Sequence, residues 1–171
     1  MPKSIDIQNE GLIPSKTQPG LERKRPTIDE YFIRFAELAA TRSTCVRRQV
    51  GAVLVRDKHI LSTGYNGAPA NMEHCTTETC LRLTTGVKPG ERHELCRGVH
   101  AEQNAIIQCA LHGVSSRDAT LYVTHSPCTI CAKMLINAGI ARVIVKRQYP
   151  DKDGIEMLQE SGIEIDFVEK E

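Results

Sequence analysis

Two short segments of the sequence combine metal-binding side chains with one that can carry a proton. His100 and Glu102 are separated by one residue, and Cys128 and Cys131 are separated by two. Two thiolates and one imidazole are ligands that zinc prefers, and a zinc ion with three protein ligands keeps a fourth position open. Such an ion lowers the pKa of bound water to about 7, so hydroxide forms at neutral pH. The spacing therefore predicts a hydrolytic zinc site held by His100, Cys128 and Cys131.

Glu102 is predicted to move protons rather than to bind the metal. Residues two apart do not share one face of a helix, so Glu102 and His100 cannot both bind the metal from the same face. The Glu102 carboxylate can nevertheless reach a water molecule at the site. A carboxylate there can take a proton from water and pass it to a leaving amine. With Pro127 directly before Cys128, the two segments together resemble the signature of zinc-dependent deaminases.

The elements around these motifs predict an α/β protein. Hydrophobic periodicity predicts helices at 27 to about 42, 101–112, 128–138 and 154–159, and β-branched runs predict strands at 50–55, 59–65, 119–124, 142–146 and 163–168. The first two strands form an antiparallel hairpin, and the later helix–strand units require parallel strands. We therefore expect a mixed five-stranded sheet with helices on both faces, a three-layer α/β/α sandwich.

The chain is predicted to contain a flexible arm, residues 1–26, and a single domain, residues 27–171. The arm is polar and interrupted by prolines, whereas regular periodicity begins only after it. Within the domain, residues 67–99 form an insertion with little periodicity. A loop of this length inside a domain is expected to have a function or to be ordered by an internal cross-link, such as a metal site.

Four cysteines could provide that cross-link by binding a second, structural zinc ion. They are Cys45, Cys75, Cys80 and Cys96, and three of them lie in the insertion. Four metal bonds can order a polar segment that buries too little apolar surface to order itself. His74 and His93 are rival ligands, and scattered reduced thiols are the alternative. Cys109 is predicted to be a core residue because it lies on an apolar helix face.

Composition excludes several other classes of protein. The 171 residues include 22 Lys and Arg against 21 Asp and Glu, so a net charge of +1 gives no general attraction to nucleic acids or anionic membranes. Seven cysteines, an odd number, argue against a disulfide framework in a chain that shows no export signal. No apolar run approaches the ~20 residues that span a bilayer. We expect a cytoplasmic protein without a membrane or nucleic-acid partner.

The chain resembles the deoxycytidylate deaminases of the cytidine deaminase-like superfamily over roughly residues 27–168. The segments that carry the resemblance are Arg42–Cys45, Val50–Val53, Gly64–Gly67, His100–Ala105 and Tyr122–Cys131. The zinc motif is common to the superfamily, whereas Arg-Ser-Thr-Cys and Gly-Tyr-Asn-Gly are typical of deoxycytidylate deaminases. The resemblance implies a cytidine deaminase-like fold and the hydrolysis of dCMP to dUMP and ammonia, which supplies dUMP for thymidylate synthesis.

The resemblance also implies contacts with a nucleotide. The backbone amide of Ala101 would meet the O2 or N3 side of the pyrimidine, the carbonyl of Ser126 would accept from the base amino group, and Asn66 would bind a sugar hydroxyl. The phosphate needs a cation, for which Arg47 and Arg48 are the candidates; ordinary solvated arginines are the alternative. The family also implies a homo-oligomer, a hexamer or a dimer, with dCTP and dTTP as effectors, and an additional zinc in some members.

Other interpretations stay open from the sequence alone. The substrate could be cytidine, dCTP or a base in tRNA, although a nucleic-acid substrate needs a basic, aromatic surface, and only 4% of the residues are aromatic. A non-catalytic zinc module would instead place a fourth protein ligand on the metal at His100. Tyr149 could cover the base or pack a loop.

Overall fold

The computed structural model describes residues 25–150 and 152–168. The helices are α1 (Ile28–Ala40), α2 (Leu81–Thr84), α3 (Ala101–Leu111), α4 (Thr129–Asn137) and α5 (Asp153–Glu160), with a 3₁₀ helix at His93–Leu95. The strands are β1 (Gly51–Arg56), β2 (His59–Tyr65), β3 (Thr120–His125), β4 (Arg142–Arg147) and β5 (Glu164–Phe167). All the predicted helices and strands are confirmed. Residues 1–24 of the predicted arm lie outside the described residues, so the division into arm and domain stays a prediction.

The strands form a mixed sheet with helices on both faces. Its order is β2-β1-β3-β4-β5; β1 is antiparallel to β2 and β3, whereas β3, β4 and β5 are parallel. Successive side chains of a strand point to opposite faces. Val53 and Ile144 accordingly pack on the α1 side, and Leu54 and Val143 pack on the side of α3, α4 and α5. The predicted three-layer α/β/α sandwich is confirmed.

Helix α1 is held to the sheet by a polar network as well as by its apolar face. The helix begins at a capping box, in which the Glu30 amide donates to Thr27 Oγ1 at 3.1 Å. Its first turn carries Asp29, which accepts a hydrogen bond from the Tyr122 hydroxyl at 2.8 Å and pairs with Arg142 at 3.3 Å. The network therefore connects α1 to strands β3 and β4.

Helix α3 lies directly against the backbone of β2. A Cβ atom at Gly64 would lie 2.1 Å from the carbonyl oxygen of Ala101, so a side chain has no room there. One turn further along α3, the Ser62 hydroxyl donates to the carbonyl of Ala105 at 2.8 Å. Because Ala101 is the first residue of α3, this contact fixes where the helix begins.

The insertion is closed at its base by a β-bridge between Gly67 and Val99. The Gly67 amide donates to the Val99 carbonyl at 3.1 Å, and the Val99 amide donates back at 2.8 Å. Inside the insertion are α2 and the 3₁₀ helix, neither of which the sequence predicted. Both are shorter than the window in which helical periodicity can be recognised.

We expect Gly64→Ala to destabilise the protein by about 3 kcal/mol or more, because the methyl group would push α3 off the sheet. The measurement is the free energy of unfolding from urea denaturation. Gly113→Ala is the matched control: Gly113 has a φ of +66° and nothing within 4 Å of an added Cβ, so it should cost only about 1 kcal/mol. Equal losses of unfolding free energy in Gly64→Ala and Gly113→Ala would contradict the close contact between β2 and α3.

Candidate active site

The predicted metal ligands lie at the beginnings of two helices. His100 is the N-cap residue of α3 and Cys128 is the N-cap residue of α4, with Cys131 one turn further. Gln103 Oε1 accepts a hydrogen bond from the His100 amide at 2.8 Å, which steadies the start of α3. The unpaired amides and the dipole of a helix N-terminus favour thiolates. The local fold therefore supports deprotonated sulfur at this site.

The ligand atoms have the spacing that a tetrahedral zinc ion requires. His100 Nδ1 lies 3.5 Å from Cys128 Sγ and 3.4 Å from Cys131 Sγ. Zinc–sulfur bonds of about 2.3 Å and zinc–nitrogen bonds of about 2.0–2.1 Å at a tetrahedral angle separate sulfur from nitrogen by about 3.5 Å. His100, Cys128 and Cys131 therefore fit one zinc ion in both donor type and geometry.

The three predicted ligands shift one another's pKa values. A hydrogen bond with Cys131, helped by one with His100, lowers the pKa of Cys128 to about 3. The same contact with Cys128, together with burial, holds the pKa of Cys131 well above its usual value. Burial disfavours the charged form of His100, but hydrogen bonds with Cys128 and Cys96 outweigh it and raise the pKa to about 10. A metal that binds here must displace these protons.

Glu102 lies beside the ligands in the position predicted for a proton carrier. Its carboxylate, His100 and Cys131 bring ligand atoms within 4.8 Å of one another, and its side chain is buried. Burial raises the pKa of Glu102 to about 7, opposed by the positive charge of His100. A carboxylate with a pKa near neutrality can both accept and donate a proton at pH 7.

The structure gathers nearly all of the predicted site residues around one cavity. Cys131 is fully buried next to this cavity. The other predicted site residues line it directly; they are Cys45, Arg47, Arg48, Asn66, Cys75, Cys80, Cys96, His100, Ala101, Glu102, Ser126 and Cys128. Their placement is what a binding site requires, and the individual substrate contacts stay predictions.

Asn66 has a structural task in addition to any contact with a ligand. Its Oδ1 accepts hydrogen bonds from the Ser43 hydroxyl at 2.6 Å and the Val50 amide at 2.8 Å. Its Nδ2 donates to the carbonyl of Arg48 at 2.9 Å. Asn66 therefore holds the connection before β1 in place at the edge of the cavity, and its predicted contact with a sugar hydroxyl would use the remaining N–H.

The four cysteines of the predicted second site lie near one another but do not form a closed group. Burial and the neighbouring Cys80, Cys96 and Cys45 raise the pKa of Cys75. In the described ranges, however, the four thiols are not among the groups whose ligand atoms all lie within 4.8 Å of one another, whereas His93, His100 and Cys128 are. The second site stays a prediction.

Two residues that line the cavity, Arg82 and His125, were not predicted from the sequence to belong to the site. Arg82 is 7% exposed and its Nη2 donates to the carbonyl of Glu91 at 2.6 Å; it lies in the four-residue helix α2, which has no periodic signal. His125 is the last residue of β3. Its position could have revealed it, because ligands bind at the carboxyl ends of parallel strands.

Comparison with known proteins agrees with this geometry. A family model of the cytidine and deoxycytidylate deaminase zinc-binding region matches residues 26–147. The chain is 39% identical over 147 residues to the ComE operon protein 2 of Bacillus subtilis, covering 85% of this chain and 74% of that protein. It is 43% identical over 129 residues to the deoxycytidylate deaminase of Mycobacterium phage D29, covering 72% and 98%. The dCMP deaminase of cyanophage S-TIM5, crystallised in complex with dCMP and dUMP, matches with a TM-score of 0.70 and 34% identity, covering 85% of this chain and 99% of that one.

His125 should make stability depend on pH. Burial and the nearby Arg48, Arg147 and Lys146 lower its pKa to about 4, whereas an unfolded histidine has a pKa of about 6.5. As the pH falls from 6.5 to 4, the unfolded chain gains a proton that the folded chain does not, so stability is lost. We expect His125→Gln to reduce the loss of unfolding free energy between pH 7.5 and pH 5 by about 1 kcal/mol.

The measurement is urea denaturation at both pH values. His59→Gln, which changes an exposed histidine of the hairpin, is the control and should leave the loss unchanged. A His125→Gln variant with the same loss as the unsubstituted protein would contradict the role of His125.

Proposed function

The chain belongs to the cytidine and deoxycytidylate deaminase family, and we propose that its reaction is the zinc-dependent hydrolysis of dCMP to dUMP and ammonia. The observation that carries the proposal is the position of the Glu102 carboxylate beside His100, Cys128 and Cys131 in a cavity lined by arginines. The relative from phage D29 is a deoxycytidylate deaminase, and the S-TIM5 enzyme was crystallised with dCMP and dUMP. Both support dCMP as the substrate.

The metal would be held by His100 Nδ1 and by the sulfurs of Cys128 and Cys131. A zinc ion there supplies Lewis acidity, which makes water acidic enough to act as a nucleophile at neutral pH. The protein contributes a dry environment, because Cys128 and Cys131 are 5% and 0% exposed. Charges inside such a site interact more strongly than they do in water.

Glu102 moves the protons of the reaction. Its carboxylate accepts a proton from the attacking water as the oxygen bonds to C4 of the pyrimidine. It delivers that proton to N3 of the pyrimidine. It then takes the second proton from the hydroxyl group now bonded to C4 and delivers it to N4, so that the C4 carbonyl forms, the C4–N4 bond breaks and the amino group leaves as ammonia. One water is consumed, so the sum is dCMP plus water giving dUMP plus ammonia, and Glu102 ends in its initial state. Its pKa of about 7 suits both transfers.

The base is proposed to lie between the two helix beginnings and the end of β3. There the Ala101 amide would donate to the O2 or N3 side of the pyrimidine, and the Ser126 carbonyl would accept from its amino group. Ser126 and Ala101 are both buried and line the cavity. Asn66 would contact a sugar hydroxyl further out.

Arg48 is the better candidate for the phosphate. Arg47 already donates from Nη2 to the carbonyl of Val87 at 3.0 Å, which ties it to the insertion. Arg48 is exposed and lies close enough to His125 to lower the pKa of its imidazole. A nucleotide whose base is held near Ser126 would extend its phosphate toward this more open side, and an arginine suits the planar recognition of a phosphate dianion.

Glu102→Gln should lower the rate of dCMP deamination by at least about 100-fold, since the amide cannot carry the proton. The assay is ammonia release from dCMP, with zinc content measured on the same sample and expected to be unchanged. Glu156→Gln on α5, a carboxylate outside the cavity, is the control and should keep full activity. A Glu102→Gln enzyme that retained both zinc and normal turnover would rule out the proposed proton transfer.

We also propose that Cys45, Cys75, Cys80 and Cys96 bind a second, structural zinc. The interaction of Cys75 with the other three thiols supports this proposal, and His74 and His93 are the rival ligands. The Gly67–Val99 bridge closes the insertion at its base, as expected for a segment that an internal metal site holds together.

Two zinc ions per chain are therefore expected by elemental analysis. Cys75→Ser and Cys131→Ser should each lose one equivalent, because each removes a ligand from a different site. Cys109→Ser replaces a buried cysteine of the core and should lose none. A Cys75→Ser variant that keeps the metal content of the unsubstituted protein would exclude the second site.

A non-catalytic zinc module is the second candidate function, because ligand atoms of His93 lie within 4.8 Å of those of His100 and Cys128. If His93 completed four protein ligands, no position would be left for water, and ammonia release from dCMP would be absent.

The wider biology is proposed from the family resemblance. We propose a cytoplasmic homo-oligomer, a hexamer or a dimer, with dCTP and dTTP as effectors. Helices long and apolar enough to cross a bilayer are absent from the part of the chain that the structure describes.

A further inference from the structure

Tyr149 joins three separate segments that surround the cavity. Its hydroxyl accepts a hydrogen bond from the amide of Gly90, in the insertion, at 2.9 Å. Its own amide donates to the Ser126 hydroxyl at 2.7 Å, and its ring lies 6.2 Å from that of His93. Tyr149 also lines the cavity itself and is half-buried. These contacts hold Tyr149 in place although it belongs to a loop.

The guanidinium group of Arg48 lies over the face of the Tyr149 ring. The Arg48 Cζ atom lies 4.8 Å from the ring centroid, within the range of a cation–π contact. An exposed arginine otherwise samples many rotamers, and fixing it costs conformational entropy when a ligand binds. An aromatic platform that is itself fixed removes part of that cost in advance.

We propose that Tyr149 is a positioning residue that holds Arg48 for the 5′-phosphate and so favours nucleotides over nucleosides as substrates. The inference rests on the proposed function, in which Arg48 binds the phosphate of dCMP. Tyr149 acts through Arg48 and does not touch the reacting atoms. Its removal therefore weakens the use of a phosphate-bearing substrate without weakening the use of deoxycytidine, which has no phosphate.

The test compares kcat/KM for dCMP with kcat/KM for deoxycytidine in a set of variants. Tyr149→Leu removes the aromatic face, and the ratio of the two values should fall about 2- to 5-fold, mainly through KM for dCMP. Tyr149→Phe keeps the face and loses only the hydrogen bond from Gly90, so it should keep the ratio. Tyr31→Leu makes the same exchange on α1, distant from the cavity, and should also keep it.

A double-mutant cycle shows whether Tyr149 acts through Arg48. In an Arg48→Ala background, Tyr149→Leu should change the ratio no further. Thermal melts confirm that each variant is folded, and Tyr149→Met replaces the leucine variant if that one does not fold.

Equal losses on dCMP and deoxycytidine in Tyr149→Leu would overturn the inference, since a purely structural residue affects both substrates alike. A further fall of the ratio in the Arg48→Ala background would overturn it as well. Failure of the proposed function is distinguishable, because the unsubstituted protein would then not deaminate dCMP at all.

Discussion

Helix α3 and strand β2 touch backbone to backbone, and the position of the whole site depends on that contact. Gly64 leaves no side chain between the strand and Ala101, so α3 begins at a fixed height above the sheet. His100 precedes Ala101 and Glu102 follows it, which places both at the N-terminus of α3, close to Cys128 and Cys131 at the N-terminus of α4. A zinc ion allows sulfur–nitrogen separations of only about 3.5 Å. Movement of α3 by the width of a methyl group would therefore separate His100 from Cys128 and Cys131.

Burial and hydrogen bonding tune the pKa values of Glu102 and Cys128 in opposite directions. Removal from water raises the pKa of Glu102 to about 7, whereas hydrogen bonding to Cys131 and His100 lowers the pKa of Cys128 to about 3. One carboxyl group is thus prepared to exchange protons while a neighbouring thiol is prepared to bind metal. Arg47 and Arg48, two of the arginines that line the cavity, are less buried than Glu102, so that the base and the phosphate of a nucleotide would meet different environments.

The fold could be predicted well from the sequence because its elements follow local patterns, and the predicted metal ligands also rest on local spacing. Strand β1 is a short apolar run rich in β-branched residues, helix α3 has apolar residues at helical spacing, and Cys128 and Cys131 are one helical turn apart. The insertion has no such pattern, so α2, the buried Arg82 and the path of the chain from Gly67 to Val99 could not be foreseen. The contact of Tyr149 with Arg48 joins segments far apart in the chain, and only the packing of the sheet brings them together.

A crystal structure of the zinc-loaded protein, with anomalous scattering measured at the zinc edge, tests the central claim most directly. We expect a zinc ion bonded to His100 Nδ1, Cys128 Sγ and Cys131 Sγ, with a solvent molecule as the fourth ligand and the Glu102 carboxylate within hydrogen-bond reach of that solvent. A zinc ion whose fourth ligand is His93 or Glu102, with no solvent bound, would contradict it.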